Sequence, residues 1–194
     1  DRAFENCESL IEVKLPKSLV SIGNSVFINC KSLQRADFQG VTTIAERVFE
    51  NCESLIEVKF PSTLKSVGSF VFINCKKLER VDFQNVNTIG ERAFENCESL
   101  MQLRLPKSFT SVGRSVFINC KKLQRLDFQG VTTISDKAFE NCESLVEVKL
   151  PESLVSIGCS AFINCTKLER VDFHGVTTIA DRAFENCESL LELR

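Results

Sequence analysis

The sequence contains no tryptophan and no tyrosine, and its 194 residues include one histidine and one methionine. Tryptophan and tyrosine dominate binding hot spots and the aromatic surfaces on which unpaired bases stack. Their absence disfavours binding to carbohydrate or to single-stranded nucleic acid. The histidine, His174, has no repeated acid or nucleophile beside it and offers no catalytic constellation. We therefore expect a protein that is not an enzyme.

Net charge and long apolar runs are also lacking. The formal net charge is −2, which gives no reason to expect nucleic acid or a membrane surface as a partner. No apolar stretch reaches about 18 residues, the length that a membrane-spanning helix needs, so we expect no membrane insertion by this segment. We expect no cofactor and no metal site, because the cysteines include no Cys-x-x-Cys pair and no histidine lies in register with them.

What the sequence does contain is a regular repeat. The motif Phe-x-Asn-Cys occurs nine times, at intervals that alternate strictly between 23 and 22 residues. A fixed period of this size indicates one small unit stacked on copies of itself, a solenoid in which equivalent residues form columns spaced by about 5 Å. The motif ends at Cys7, Cys30, Cys52, Cys75, Cys97, Cys120, Cys142, Cys165 and Cys187. We expect these cysteines to form a buried, reduced column and the phenylalanines beside them to belong to the core.

Each unit predicts one short strand. Val13 and Leu15 flank Lys14, an alternation typical of a strand with one buried face. All four prolines follow the strand of a 23-residue unit, where the missing N–H ends strand pairing, and the 22-residue units carry a turn such as Gln39-Gly40 there. We expect one parallel sheet with strands at 12–15, 35–38, 57–60, 80–83, 102–105, 125–128, 147–150, 170–173 and 192–194.

A second segment of each unit predicts a short helical turn on the wall opposite the sheet. Ile44, Val48 and Cys52 follow a spacing near the helical period of about 3.6 residues, which indicates one or two turns of α- or 3₁₀-helix. Thr43 to Glu46 resembles a capping box at its start. We expect the asparagine before each cysteine to bond to the backbone where this helical turn ends.

The pattern Leu-x-x-Val-x-Leu-Pro-x-x-Leu-x-x-Ile-Gly-x-x-x-Phe-x-x-Cys, as it stands at Leu10 to Cys30, resembles the BspA-like, Treponema pallidum-type class of leucine-rich repeats. The resemblance covers essentially the whole chain. It implies an α/β repeat solenoid that is right-handed, with a parallel β-sheet on the concave side and short helical or 3₁₀ turns on the convex side. We expect residues 1–194 to form a single leucine-rich-repeat domain that is a segment of a longer array.

The resemblance also implies a function. Such repeats occur on surface or secreted proteins of bacteria and some protists, where they are associated with adhesion and protein binding, and the family has no shared catalytic residues. We therefore expect a protein–protein interaction module at the cell surface or secreted, with an unidentified protein partner. The alternative is a structural spacer or self-assembly scaffold without a specific ligand. The uniformity of the repeats favours this alternative, because specific binding usually requires some repeats to differ.

The outward residues of the predicted sheet form two charged columns. Signs alternate down each column and across each strand, so that opposite charges are neighbours. The pattern has two interpretations: a self-neutralising solvated face that fixes strand register, or a polar platform that binds a charged protein partner. The candidate binding residues at its centre are Glu57, Lys59, Arg80, Asp82, Gln102, Arg104, Arg125 and Asp127.

Two further features depart from the core pattern. Cys159 lies outside the cysteine column at a variable position that we expect to be exposed. It is either an accidental surface thiol or a site of intermolecular disulfide formation, and end-to-end stacking is a second route to a homo-oligomer. Apolar residues also recur every 45 residues just before the strand, and we expect them to close one edge of the core, with a partner-binding stripe as the alternative. These residues are Ile11, Ile56, Met101, Val146 and Leu191.

Overall fold

The computed structural model describes residues 1–193, and for Asp82, Arg104 and Asp127 it describes the backbone alone. Within these residues, seventeen strands alternate along the chain between one long sheet and a second wall. The long sheet contains β1 (Glu12–Leu15), β3 (Arg35–Phe38), β5 (Glu57–Lys59), β7 (Arg80–Asp82), β9 (Gln102–Arg104), β11 (Arg125–Asp127), β13 (Glu147–Lys149), β15 (Arg170–Asp172) and β17 (Glu192–Leu193). These nine strands pair in parallel and in chain order, which confirms the predicted solenoid.

The strands begin at the residues that the alternating pattern predicts. Register is conserved from unit to unit, so Val58 pairs with Ala36 on one side and with Val81 on the other. The difference between 23 and 22 residues is therefore absorbed outside the sheet. In the longer units it lies at the proline, which opens a turn: the N–H of Leu64 donates to the carbonyl oxygen of Pro61 at 3.0 Å.

A second wall consists of two-residue strands. They form two parallel sheets with the orders β2-β4-β6-β8 and β10-β12-β14-β16. The strands are β2 (Ser21–Ile22), β4 (Thr43–Ile44), β6 (Ser66–Val67), β8 (Thr88–Ile89), β10 (Ser111–Val112), β12 (Thr133–Ile134), β14 (Ser156–Ile157) and β16 (Thr178–Ile179). The predicted capping box is therefore wrong, because Thr43 pairs with the neighbouring units as part of a strand instead of starting a helix.

The third wall consists of turns, and residues 1–193 contain no helix, so the predicted helical turns are also wrong. Peptide N–H groups here donate to the next unit: the N–H of Ser25 donates to the carbonyl oxygen of Glu46 at 2.9 Å. Ser25 and Asn29 have positive φ values of 55° and 61°. Residues in the left-handed region cannot continue a right-handed helix. The nearly helical spacing comes instead from successive turns, in which the N–H of Cys30 donates to the carbonyl oxygen of Phe27 at 3.2 Å.

The asparagines of this wall bond to one another. Asn29 Nδ2 donates to Asn6 Oδ1 at 2.9 Å, and Asn51 Nδ2 donates to Asn29 Oδ1 at 2.8 Å. The same bond recurs up to Asn186, which donates to Asn164 at 2.8 Å. The predicted side-chain bond to the backbone is therefore wrong. Asparagine suits this position because it tolerates positive φ and offers one donor and one acceptor along the solenoid axis.

The core lies between the three walls and contains the phenylalanine and cysteine columns. Phe94 stacks between Phe72 and Phe117, with ring centroids 5.0 and 5.4 Å away. Beside it, Cys97 Sγ donates to the carbonyl oxygen of Phe72 at 3.3 Å. Burial raises the pKa of the Cys97 thiol well above its usual value, because the thiolate would lose its hydration. The column therefore packs as free thiols that are buried from Cys30 to Cys187, whereas Cys7 in the first unit is exposed, contrary to the prediction.

Candidate protein-binding face

The outer surface of the long sheet, called here the sheet face, carries the charged columns. In β5, Glu57 and Lys59 are exposed, and Val58 between them is buried. Parallel pairing places Glu57 beside Arg80, and Arg80 beside Gln102. Because neighbouring strands lie about 4.8 Å apart, equivalent residues of successive units become continuous rows of side chains.

The eight predicted binding residues lie together on β5, β7, β9 and β11, the middle of the sheet face. Those with described side chains are all exposed, and they are Glu57, Lys59, Arg80, Gln102 and Arg125. Strand register places the backbone of Arg104 between those of Asp82 and Asp127, whose side chains, like that of Arg104, lie outside the described part. The predicted positions on the strands are confirmed, and the binding role of these residues stays a prediction.

Ion pairs along the sheet face are long and exposed. Glu12 Oε1 lies 3.6 Å from Arg35 Nε on the next strand and 3.6 Å from Lys14 Nζ on its own strand. Glu147 Oε1 and Lys149 Nζ are 4.0 Å apart. Exposed pairs of this kind contribute about 0–1 kcal/mol each and weaken with added salt. These ion pairs therefore restrain the side chains of Glu12 and Glu147 only weakly.

The alternation of charge fails at one place on the sheet face. Position 102 is glutamine, where the same column has glutamate at positions such as Glu57 and Glu147. Because β9 lies between β7 and β11, Gln102 pairs in register with both Arg80 and Arg125. Two arginines therefore flank a neutral amide instead of a carboxylate.

Three open depressions occur along the sheet face among the described residues. Their volumes are about 750, 570 and 500 Å³. The largest reaches from Gln102 to Lys167 and includes Arg125, Val146 and Lys149. Small-molecule sites usually enclose most of their ligand, whereas open and shallow surfaces of this kind suit contact with another protein.

Four of the five residues of the apolar row just before the strands are exposed and Met101 is half-buried, which corrects the expectation that the row closes an edge of the core. Ile11, Ile56 and Val146 are 53%, 40% and 41% exposed. Ile11 precedes β1, so the inward and outward alternation of the strand does not extend to it. The row borders the sheet face, and Val146 lines its largest depression. A signal was visible in the sequence, since these residues alternate with polar ones such as Gln124 in the intervening units.

A further charged row, not predicted, follows the cysteine column. The residue after each cysteine alternates between glutamate and lysine, with Thr166 as the exception. Lys31 Nζ lies 3.4 Å from Glu8 Oε1, and Lys76 Nζ lies 3.5 Å from Glu53 Oε2. The alternation was visible in the sequence, but it falls outside the strands on which the charge prediction was made. These pairs add to the loose electrostatic network that links successive units.

The residues that depart from the repeat do not assemble into a reactive site. Cys159 is exposed, as expected. His174 Nδ1 lies 2.6 Å from Oδ1 of Asp172, the last residue of β15. Within the described residues, three or more metal-ligating side chains nowhere come together. In the same part of the chain, no helix has the length and apolarity that crossing a bilayer requires.

A parallel sheet with one strand per unit, stacked phenylalanines and an asparagine ladder define a leucine-rich-repeat solenoid. The sequence matches the BspA type leucine rich repeat region, in six copies, over residues 1–100 and 80–191. The chain belongs to this family, as the repeat pattern predicted. Family membership suggests a protein-interaction module.

Solved structures of bacterial leucine-rich-repeat proteins share the fold. A leucine-rich repeat protein from Bacteroides ovatus is 27% identical, with a TM-score of 0.79 over 100% of this chain and 57% of its own. A leucine rich cell surface protein from Faecalibacterium prausnitzii is 30% identical, with a TM-score of 0.72 over 82% of this chain and 43% of its own. The leucine rich repeat protein of T. pallidum is 30% identical, with a TM-score of 0.67 over 86% and 69%.

The chain spans about half the length of the first two of these relatives. No protein with a curated function matches it.

Proposed function

We propose that this segment binds a protein partner through the sheet face and the apolar row beside it, and that this binding serves adhesion at a cell surface. The observation that carries the proposal is the apolar row. Ile11, Ile56 and Val146 form a row of exposed apolar side chains that borders the sheet face, whereas the other exposed apolar residues of these units, Val20 and Val155, lie next to the second wall. Exposed apolar residues rimmed by polar ones are typical of protein–protein interaction sites.

The charged columns supply the polar part of such an interface. Their ion pairs are long, as between Lys149 and Glu147, so a partner can replace them at little cost in free energy. The rigid backbone of the solenoid keeps the rows in place. Binding would therefore combine apolar contact along the row with charge complementarity across the strands.

A location at the cell surface, or secretion, is part of the same proposal. It is supported by the relative from Faecalibacterium prausnitzii, which is described as a leucine rich cell surface protein. The rival function is a spacer or self-assembly element with no ligand on this segment, and the uniform ladders of asparagine and phenylalanine favour it.

Surface charge variants distinguish the two functions. Beads coated with the segment are incubated with a panel of purified extracellular proteins, and retained proteins are titrated by surface plasmon resonance. Changing both Arg80 and Arg125 to alanine should weaken retention about tenfold or more, because both charges lie on the sheet face. The matched control changes Lys65 and Lys107 to alanine, which removes the same charge from exposed loops outside the long sheet.

Equal affinity for the sheet-face variant and the control would exclude the central sheet face as the binding surface. Retention of no protein by the parent segment, together with concentration-dependent association in sedimentation, would favour the self-assembly scaffold.

A further inference from the structure

We infer that the partner segment recognised by this chain is acidic, with an apolar residue among its carboxylates, and that it docks over Gln102. The inference rests on the proposed protein-binding function and specifies the chemistry of the partner. It starts from the one interruption in the charge pattern of the sheet face, where Arg80 and Arg125 flank a neutral amide.

The interruption changes the local charge balance. The six outward positions of β1, β3 and β5 include three cationic and three acidic residues. The equivalent positions of β7, β9 and β11 include three cationic residues and two acidic ones. Where the glutamate is present it has cationic neighbours, since Glu12 lies within 3.6 Å of both Lys14 and Arg35. At position 102 an incoming carboxylate can take the place of the missing one.

The shape of the surface also favours binding of an acidic segment at Gln102. The largest depression of the sheet face, about 750 Å³, extends from Gln102 across the next strands. Its charged lining consists of Arg125, Lys149 and Lys167 against a single carboxylate, that of Glu147. Lys167 occupies a position that is also lysine in two equivalent units, at Lys77 and Lys122. The lining of this depression therefore carries more cationic than acidic side chains, although the whole chain has a net charge of −2.

The apolar lining determines the rest of the partner's chemistry. Val146 is exposed at the edge of the depression, and the buried Leu103 and Leu126 contribute to its floor. A purely anionic ligand would leave the exposed side chain of Val146 in water. A peptide with a leucine between acidic residues would cover Val146 and place its carboxylates near Arg125 and Lys149.

Peptide binding to single variants tests the inference. The probe is a short synthetic peptide with a central leucine flanked on each side by Glu-Asp, and the control probe has Gln-Asn in those places. Binding to the ¹⁵N-labelled segment is followed by amide chemical shifts at low and high salt. The acidic peptide should bind, should shift the amides of Gln102, Arg125 and Lys149, and should weaken at high salt.

One substitution removes the interruption in the charge pattern, and a second creates another interruption elsewhere on the sheet face. Gln102→Glu restores the alternation of charge and should weaken binding of the acidic peptide about fivefold. The reason is that the glutamate carboxylate would then occupy the site of the peptide's carboxylate. Glu57→Gln creates the same interruption between Arg35 and Arg80 and should produce a second set of shifts there. Gln39→Glu adds the same charge at an exposed loop and should leave binding unchanged.

The results separate this inference from the proposed function. Failure of the acidic peptide to bind, equal binding of the amide peptide, or unchanged affinity in Gln102→Glu would overturn the inference. If the Arg80 and Arg125 alanine variant still lost its protein partner in that case, the proposed function would stand with a partner of different chemistry.

Discussion

The asparagine ladder gives a quantitative test of how the units are held together, through replacement of Asn96 by alanine. Asn96 Nδ2 donates to Asn74 Oδ1 at 2.7 Å, and its own Oδ1 accepts from Asn119 Nδ2 at 2.8 Å. Its φ is 60°, in the left-handed region. The replacement therefore removes two hydrogen bonds and places a residue with an unfavourable preference at this φ.

The expected loss can be estimated from these two causes. Each hydrogen bond contributes about 1 kcal/mol net, and alanine in the left-handed region costs about 1–2 kcal/mol more. We therefore expect Asn96→Ala to lower the free energy of unfolding by about 3–4 kcal/mol. Asn96→Gly removes the same two hydrogen bonds but accepts the positive φ, so it should be about 1 kcal/mol less destabilising than alanine.

Urea unfolding followed by far-UV circular dichroism measures both variants against the parent chain. Equal stability of the alanine and glycine variants would refute the contribution of the left-handed backbone. A loss below about 0.5 kcal/mol in both would refute the contribution of the ladder itself, because each bond would then be replaced by water at no cost.

Three further predictions concern the core, the turn and the thiols. Phe94→Ala should lower the free energy of unfolding by about 3–5 kcal/mol in the same urea assay, since a cavity would open within the stacked rings, and a loss under about 1 kcal/mol would contradict the core assignment. Gly130→Ala should reduce the melting temperature far more than Gly113→Ala. A Cβ at residue 130 would lie only 2.2 Å from the carbonyl oxygen of Lys107, whereas the nearest neighbour of a Cβ at residue 113 is a side-chain methyl at 3.3 Å. Similar melting temperatures of the two variants would contradict this close approach. Burial raises the pKa of the Cys97 thiol above 9.0, so the stability that it contributes should be fully retained below pH 9 and fall above it as the unfolded chain ionises. In urea titrations at successive pH values, Cys97→Ala should make that fall shallower by about 1.4 kcal/mol per pH unit. An unchanged slope would contradict this prediction.

The sheet was predictable from the sequence because alternation within a strand reports burial directly. Val13 and Leu15 flank Lys14, and this pattern recurs at every unit, so both the strands and their register followed from the repeat. The turn wall was not predictable in the same way. Ile44 and Val48 have a helical spacing, but Ile44 belongs to a strand and Val48 to a turn whose neighbouring N–H groups bond to the next unit. Apolar spacing records which residues face inward, not the hydrogen bonds that place them there.

The candidate site was predictable for the same reason, and only where strands carry it. Arg80 and Arg125 lie where register placed them, on either side of Gln102. The apolar row was assigned to the core because hydrophobicity alone favours burial. Its exposure depends on how the chain enters the strand at Ile11, which no residue pattern within the strand reports. The ion pair between Lys31 and Glu8 likewise depends on the path of the chain after the cysteine.

Site-specific photocrosslinking tests the central claim most directly, that this segment recognises a protein partner through the sheet face. A photoreactive amino acid is placed at Gln102 on the sheet face or at the exposed Glu91, at the start of the turn wall. It is irradiated in the presence of an extracellular protein retained by the segment. We expect a crosslinked product from position 102 and none from position 91. A product from position 91 with none from position 102 would contradict the account.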